Sequence, residues 1–227
     1  MRIQRHRALI AGAATVIAAG AIAASVAFAS GSGATGSPGS AATGSSGSAA
    51  AHSRVAAAAG SRPAGRAALN WFRAGPAPAD WHQVTLPGGG AVLSYPPSLS
   101  PMTGDKGTVS EGFTRSGRVL VYLNVTPRQG DETLSGWAHF RVGHLTDDDA
   151  SSARLDGAAG GLRFRGGPGS CVVDDYVTRV HANHYREIAC FVRGAHASSV
   201  VVAATPAADW ARYGSLLERA VDSYAVR

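Results

Sequence analysis

The sequence predicts an α+β fold in which helices pack on a mainly antiparallel sheet. Four strand patterns come first, over 83–86, 91–95, 110–115 and 118–125, and turn residues separate them. A helical pattern follows, and then three further strand patterns at Cys171–His181, His184–Phe191 and Ser199–Ala204. A second helical pattern closes the chain. The order of strands, helix, strands and helix is typical of α+β domains.

Turn residues divide the first four strands into two hairpins. Pro87-Gly88-Gly89-Gly90 separates the first pair, and Ser116-Gly117 separates the second pair. Tyr95-Pro96-Pro97 ends the second strand, because proline has no N–H to donate to a neighbouring strand. The strand over 118–125 is mostly apolar on both faces, so we expect it at the centre of the sheet, covered on both sides.

Two helices are predicted, with loops between the first helix and the later strands. The first begins near Asp131, whose charge suits the positive end of a helix dipole, and continues at helical spacing through Leu134, Trp137, Ala138, Arg141 and Leu145. The second begins at Thr205-Pro206, a capping hydroxyl followed by proline. Its stripe is Trp210, Tyr213, Leu217, Val221 and Tyr224. Loops are expected at Asp147–Asp149 and Gly157–Gly169.

The first 29 residues predict export. Three arginines within the first seven residues precede an uncharged apolar run from Ala8 to Ala29, and Ala27-Phe28-Ala29 suits a signal peptidase. The run is also long enough for a bilayer, which needs about 20 apolar residues. Two outcomes stay open: a protein secreted after cleavage at Ala29, or one anchored by its N-terminal helix. Both place the rest of the chain in the extracellular space or cell envelope.

Residues 30–79 are predicted to be a tether. Residues 30–51 contain only Gly, Ser, Ala, Thr and Pro, which cannot bury enough apolar surface to offset the entropy of ordering. The stretch Arg66–Arg73 contains aromatic residues flanked by arginines and has two alternative roles. It could be a strap packed on the domain, or Trp71-Phe72 could contact an anionic envelope surface beside the flanking arginines.

The positive net charge belongs to the N-terminal part of the chain. The whole chain is +6, but residues 1–79 contain seven arginines and no acidic residue, which leaves 14 basic and 15 acidic residues after them. A nucleic-acid-binding domain needs a basic surplus to neutralise phosphates. We therefore expect no nucleic-acid partner for residues 80–227, which are long enough for a single globular domain.

Cys171 and Cys190 are the only cysteines, and an even count in an exported chain favours a disulfide. The register between their strands depends on the turn. A two-residue turn at Ala182-Asn183 would place Cys190 opposite Asp175, whereas a four-residue loop over Arg179–Ala182 would place the two cysteines directly opposite each other. A disulfide therefore requires the longer loop or a bulge.

Candidate catalytic and metal sites are weak in this sequence. His181 and His184 could share a metal with Asp174 or Asp175, but zinc normally takes three or four protein ligands. Asp147–Asp149 and Asp156 lack the alternating oxygens and glycine of a calcium loop. No lysine follows the glycines at 166–169, and the pattern Gly-x-Ser-x-Gly is absent. We therefore assign no catalytic residue, cofactor or metal.

The pattern resembles PsbP-like domains. The resemblance rests on the exported start, the strand leading into Tyr95-Pro96-Pro97, the strand Tyr185–Val192, the strand Val200–Ala204 and the closing helix that follows Pro206. It covers residues 81–226 and implies an α/β/α sandwich. Members of this group include many exported actinobacterial envelope proteins and are mostly non-catalytic accessory or binding modules.

Two functions follow as expectations. The first is a non-catalytic envelope binding or accessory domain on a flexible tether, whose partner is another envelope protein or a small apolar ligand. Its expected contact residues are Trp81, Tyr95, Pro96 and Pro97, and the membrane is reached only through the N-terminal segment. The alternative is an extracellular hydrolase with an unrecognised site, which a pocket with convergent titratable groups would favour.

Overall fold

The computed structural model describes residues 68–148 and 150–227. The predicted signal or anchor at 1–29, and the tether up to residue 67, lie outside the described residues. The described elements are, in chain order, β1 (His82–Thr85), β2 (Ala91–Tyr95), β3 (Ser100–Pro101), β4 (Val109–Arg115), β5 (Arg118–Pro127), α1 (Trp137–Asp148), β6 (Ala150–Phe164), β7 (Gly167–Thr178), β8 (His184–Arg193), β9 (Ser198–Pro206), α2 (Trp210–Asp222) and β10 (Ala225–Val226).

Two antiparallel sheets organise the domain. Seven strands form the large sheet in the order β3-β4-β5-β9-β8-β7-β6, and the small sheet has the order β1-β2-β10. The predicted class, α+β with a mainly antiparallel sheet, is confirmed. The prediction of an interior position for β5 is also right, since β5 lies between β4 and β9.

The large sheet is covered on both faces. On one face, α2 and the small sheet enclose the main core, in which Leu217, Leu93 and Ile188 are almost completely buried. On the other face, α1 places Trp137 against Val172 and Ala189. Burying each large apolar side chain stabilises the fold by about 1.5–3 kcal/mol. The layers are therefore helix, sheet and helix, with the small sheet beside α2.

Most of one predicted loop belongs to two paired strands. The assignment of Gly157–Gly169 to a loop is wrong, because β6 extends to Phe164 and β7 begins at Gly167. β6 is an edge strand, and its register against β7 shifts at three places. Each shift reverses which side chains face the core. The alternation that identifies a strand from sequence is therefore broken along β6.

Both helices begin later than predicted, because hydrogen bonds of polar side chains hold Glu132 in a turn and Thr205 in a strand. The Glu132 carboxylate accepts hydrogen bonds from the backbone N–H groups of Gln129 and Gly130, and α1 starts only at Trp137. The predicted capping residue Thr205 lies within β9, where its hydroxyl donates to the Leu120 carbonyl. A 3₁₀ turn over Ala207–Asp209 then precedes α2.

Residues 68–73 form a strap on the domain. Leu69 and Phe72 are buried in the main core, and the Phe72 ring lies 4.6 Å from the Phe164 ring. The backbone N–H of Arg73 donates to the Asp222 carboxylate at 2.7 Å. Of the two alternatives for this stretch, the structure shows the packed strap, because a buried Phe72 has no apolar surface left for an envelope contact.

Candidate functional site

The four predicted contact residues come together at one end of the small sheet. His82 pairs with Tyr95 in the register of β1 and β2. Trp81, which precedes β1, and Pro96, which follows β2, therefore lie at the same end of the small sheet. Trp81 is partly buried against the main core, Tyr95 is 9% exposed, Pro96 is half-buried and Pro97 is exposed. We call this group the Pro96 corner.

Tyr95 is held within the fold by a buried carboxylate. Its hydroxyl donates a hydrogen bond to Glu111 on β4, and the His82 ring lies 5.7 Å from its own ring. Burial raises the pKa of Glu111, although the Tyr95 hydrogen bond and nearby His82 oppose the change. Burial, together with the Glu111 charge, raises the pKa of Tyr95. Tyr95 is therefore a structural residue, and the accessible part of the corner consists of Pro97 and the partly covered Trp81 and Pro96.

The predicted disulfide is present. Cys171 on β7 and Cys190 on β8 are bonded, and they lie directly opposite each other in the register. Thr178 and Asn183 close the hairpin through the Thr178 N–H and the Asn183 carbonyl, which leaves the four-residue loop over 179–182. The longer of the two predicted loops is therefore correct. Both cysteines are buried in the main core.

The histidine and aspartate candidates do not converge. Asp174 and Asp175 point to opposite faces of β7, because successive side chains alternate along a strand. His184 lies 3.7 Å from the Asp175 carboxylate, while Asp174 is buried beneath α1. Over residues 68–148 and 150–227, no three His, Cys, Asp or Glu side chains are placed to hold a metal ion.

A buried charged cluster lies between α1 and the large sheet. The Arg141 guanidinium donates to both carboxylate oxygens of Glu187, from Nε at 2.7 Å and from Nη2 at 3.0 Å. Glu187 pairs with Asp174 in the register of β7 and β8. Glu187 and Asp174 are both 0% exposed, and Arg141 is 2% exposed. We call these three residues the Arg141 cluster.

The surroundings of Asp174 favour its protonated form. If Asp174 were ionised, neither of its oxygens would have a hydrogen-bond donor among the described residues. A protonated Asp174 would have an acceptor in Glu187, its partner in the register of β7 and β8. Burial, and then the negative charge of Glu187, raise the pKa of Asp174 well above its ordinary value. Burial alone would lower the pKa of Arg141, but the Glu187 carboxylate more than offsets this and raises it.

The Arg141 cluster was not predicted, although the sequence contains features that indicate it. Arg141 occupies a position in the apolar stripe of the first predicted helix, where a charge must find a buried partner. Asp174 and Glu187 both interrupt strand patterns that are otherwise rich in apolar residues. Pairing these three positions requires the register of β7 and β8 and the packing of α1, and local periodicity contains neither.

No known protein family matches the sequence, and no curated protein is similar to it in sequence. Among solved structures, the cyanobacterial PsbP (CyanoP) from Synechocystis sp. PCC 6803 is 15% identical, with a TM-score of 0.47 over 67% of this chain and 96% of that chain. LpqN, described as involved in cell envelope biogenesis of Mycobacterium tuberculosis, is 12% identical, with a TM-score of 0.41 over 64% of this chain and 90% of that chain.

These similarities concern the fold alone. The resemblance to PsbP-like domains predicted from the sequence is also found among solved structures, but the TM-scores lie below 0.5 and no function is taken from them. Within the part of the chain that the structure describes, no helix is long and apolar enough to cross a membrane.

Proposed function

We propose that this chain is an exported, non-catalytic accessory domain that is held on a tether in the cell envelope and binds another envelope protein. The observation that carries the proposal is the disulfide between Cys171 and Cys190, which joins two interior strands of the large sheet. Such bonds persist in oxidising compartments and are rare where thiols are kept reduced. The export pattern in residues 1–29 supports the same location.

The buried titratable groups support a non-catalytic role. A catalytic acid or base must come within hydrogen-bond distance of the substrate. Asp174 and Glu187 have the buried environment that catalytic carboxyl groups often have, but no part of either is exposed. Glu187 is bound by Arg141 and lies opposite Asp174 in the register. They therefore serve the interior of the fold, and the hydrolase alternative gains nothing from them.

The Pro96 corner is the partner contact that we propose. Pro97 is exposed on a rigid turn, and Trp81 is only partly covered. The Leu99 N–H donates to the Pro96 carbonyl, which closes this turn. A rigid surface with a large aromatic side chain suits protein binding, because little conformational entropy is lost on contact.

Location is tested on the protein in its native cells. Mass spectrometry of the protein from the envelope should find either a chain that begins at Ser30 or the intact N-terminal segment. An externally added protease should cleave residues 30–67 on intact cells. Protein found only in the cytosol, with both thiols reduced, would overturn the proposed location.

The contact is tested by site-specific photocrosslinking of the full chain in those cells. A photoreactive residue at Pro97 should give a discrete crosslinked product, which mass spectrometry identifies. The matched control is Ser215, an equally exposed position on α2. Products that are identical from both positions, or that contain only this chain, would contradict a specific partner at the Pro96 corner.

A further inference from the structure

Three exposed arginines lie near the end of the small sheet that is opposite the Pro96 corner. Arg163 and Arg165 lie at the hairpin between β6 and β7, and Arg193 ends β8. The backbones of these segments meet: Gly167 lies against the Arg193 carbonyl, and the Val226 N–H donates to the Arg165 carbonyl at 2.9 Å. We call Arg163, Arg165 and Arg193 the basic end.

These arginines are not used by the fold. Within residues 68–148 and 150–227, none of the three forms an ion pair. The only hydrogen bond from their guanidinium groups to another described residue runs from Arg165 to the Ser223 carbonyl, at a long 3.4 Å. Like charges on adjoining backbone segments repel one another, so the arrangement favours an anionic partner from outside the domain.

The strap, residues 68–73, also lies at this end. Phe72 packs on Phe164, which lies between Arg163 and Arg165. The residues that precede the strap include Arg54, Arg62 and Arg66, and no acidic residue occurs before Asp80. The sequence that leads into the strap is therefore basic, like the basic end itself.

We propose that the basic end docks on an anionic phospholipid surface, a second membrane contact beyond the one expected through the N-terminal segment, and this rests on the proposed envelope location. One guanidinium group can bind two phosphate oxygens at once. Each arginine near an anionic membrane adds a similar increment to the binding free energy. Lipid is favoured over a soluble polyanion in the anchored form of the protein, because the apolar run that ends at Ala29 is long enough to span a bilayer and would hold the domain beside it. Residues 30–67 would keep the domain within roughly 35 Å of that bilayer. Docking would direct the Pro96 corner away from the membrane.

The test uses the full chain reconstituted in vesicles through its N-terminal segment. Energy transfer from the chain's four tryptophans to a dansyl-labelled lipid reports how close the domain lies to the bilayer. Transfer should be higher in vesicles containing 30% phosphatidylglycerol than in pure phosphatidylcholine. The reason is that a docked domain touches the bilayer, whereas an undocked domain lies up to about the tether length away from it. It should fall to the phosphatidylcholine level at high salt, because exposed charges are screened.

Variants locate the effect. R163Q/R165Q/R193Q should lower the ratio of docked to undocked domain by about a hundredfold, from roughly a factor of five for each arginine. The matched control, R115Q/R118Q/R212Q, removes three exposed arginines from the β4–β5 hairpin and the first turn of α2, of which Arg118 has a long ion pair with Asp209. It should leave docking within about twofold of wild type. Both variants keep the arginines of the tether.

Equal transfer in the two kinds of vesicle would overturn the proposal, as would equal losses from the two triple variants. The salt titration needs no variant, so the test does not depend on how the substitutions fold. Neither result bears on export or on the partner of the Pro96 corner, because those are decided in native cells. Failure of the docking proposal is therefore distinguishable from failure of the proposed function.

Discussion

The arginines at the two ends of the large sheet have different surroundings. At one end, Arg186 binds Asp175 at 2.9 Å, also pairs with Asp156, and lies over the Trp210 ring at 5.1 Å. At the other end, Arg163 and Arg193 have no acidic partner among the described residues. The ion pairs are concentrated at one end of the sheet. A domain with almost no net charge can therefore still have a region of unneutralised positive charge at the other end.

The Arg141 cluster is the extreme case of a paired arginine, and its loss should have the largest effect. Arg141→Met would leave Glu187 buried without its partner, at a cost of about 3–5 kcal/mol in the free energy of unfolding. Urea denaturation measures this cost. The matched control, Arg163→Met, changes an exposed arginine and should cost less than about 0.5 kcal/mol. Similar costs for the two variants would remove the distinction between the ends.

The disulfide should contribute nearly as much. Cys171 and Cys190 are 19 residues apart, and closing a loop of this size stabilises a fold by roughly 3 kcal/mol, mainly by constraining the unfolded chain. C171A/C190A should therefore lower the urea midpoint without changing vesicle docking. A variant that unfolds at the wild-type midpoint would show that the bond contributes little to this fold.

Asp174 should make stability depend on pH with an unusual sign. Its pKa is raised in the folded state, so the folded chain keeps a proton that the unfolded chain releases. This contribution is complete below the unfolded pKa of about 3.9, and stability falls as the pH rises toward the folded pKa, by up to about 1.4 kcal/mol per pH unit.

Asp174→Asn isolates that contribution, because the amide can donate to Glu187 without titrating. The variant should match wild type near pH 3 and be more stable at pH 7. Asp156 has the opposite sign, since its hydrogen bond with Arg186 lowers its pKa, but it is present in both proteins and cancels in the difference. A variant less stable than wild type at pH 7 would contradict a protonated Asp174.

Local patterns predicted most of the sheet, and long-range pairing accounts for the rest. The prolines after Tyr95 and the apolar alternation of β5 are properties of neighbouring residues, so their prediction succeeded. β6 was missed because its bulges break the alternation. The basic end was not predicted, because a net charge summed over 148 residues does not tell where the charges lie. Arg165 and Arg193 are brought together only by the fold.

Exposed ion pairs should contribute least among the paired arginines. Arg154 forms a bond of 2.9 Å with Asp175, but its side chain is 69% exposed, and such pairs contribute about 0.2–1 kcal/mol. Arg154→Gln should lower stability by that amount, and less at high salt. A loss above about 2 kcal/mol in thermal or urea unfolding would show that this pair is coupled to the Arg141 cluster.

The central claim is that the arginines of the basic end are kept for a partner and not for the fold. The most direct measurement is the free energy of unfolding of R163Q/R165Q/R193Q in urea, without lipid. We expect a value within about 0.5 kcal/mol of wild type, or slightly above it, because three repelling charges are removed. A loss of more than about 1.5 kcal/mol would contradict the claim, since those arginines would then stabilise the domain itself.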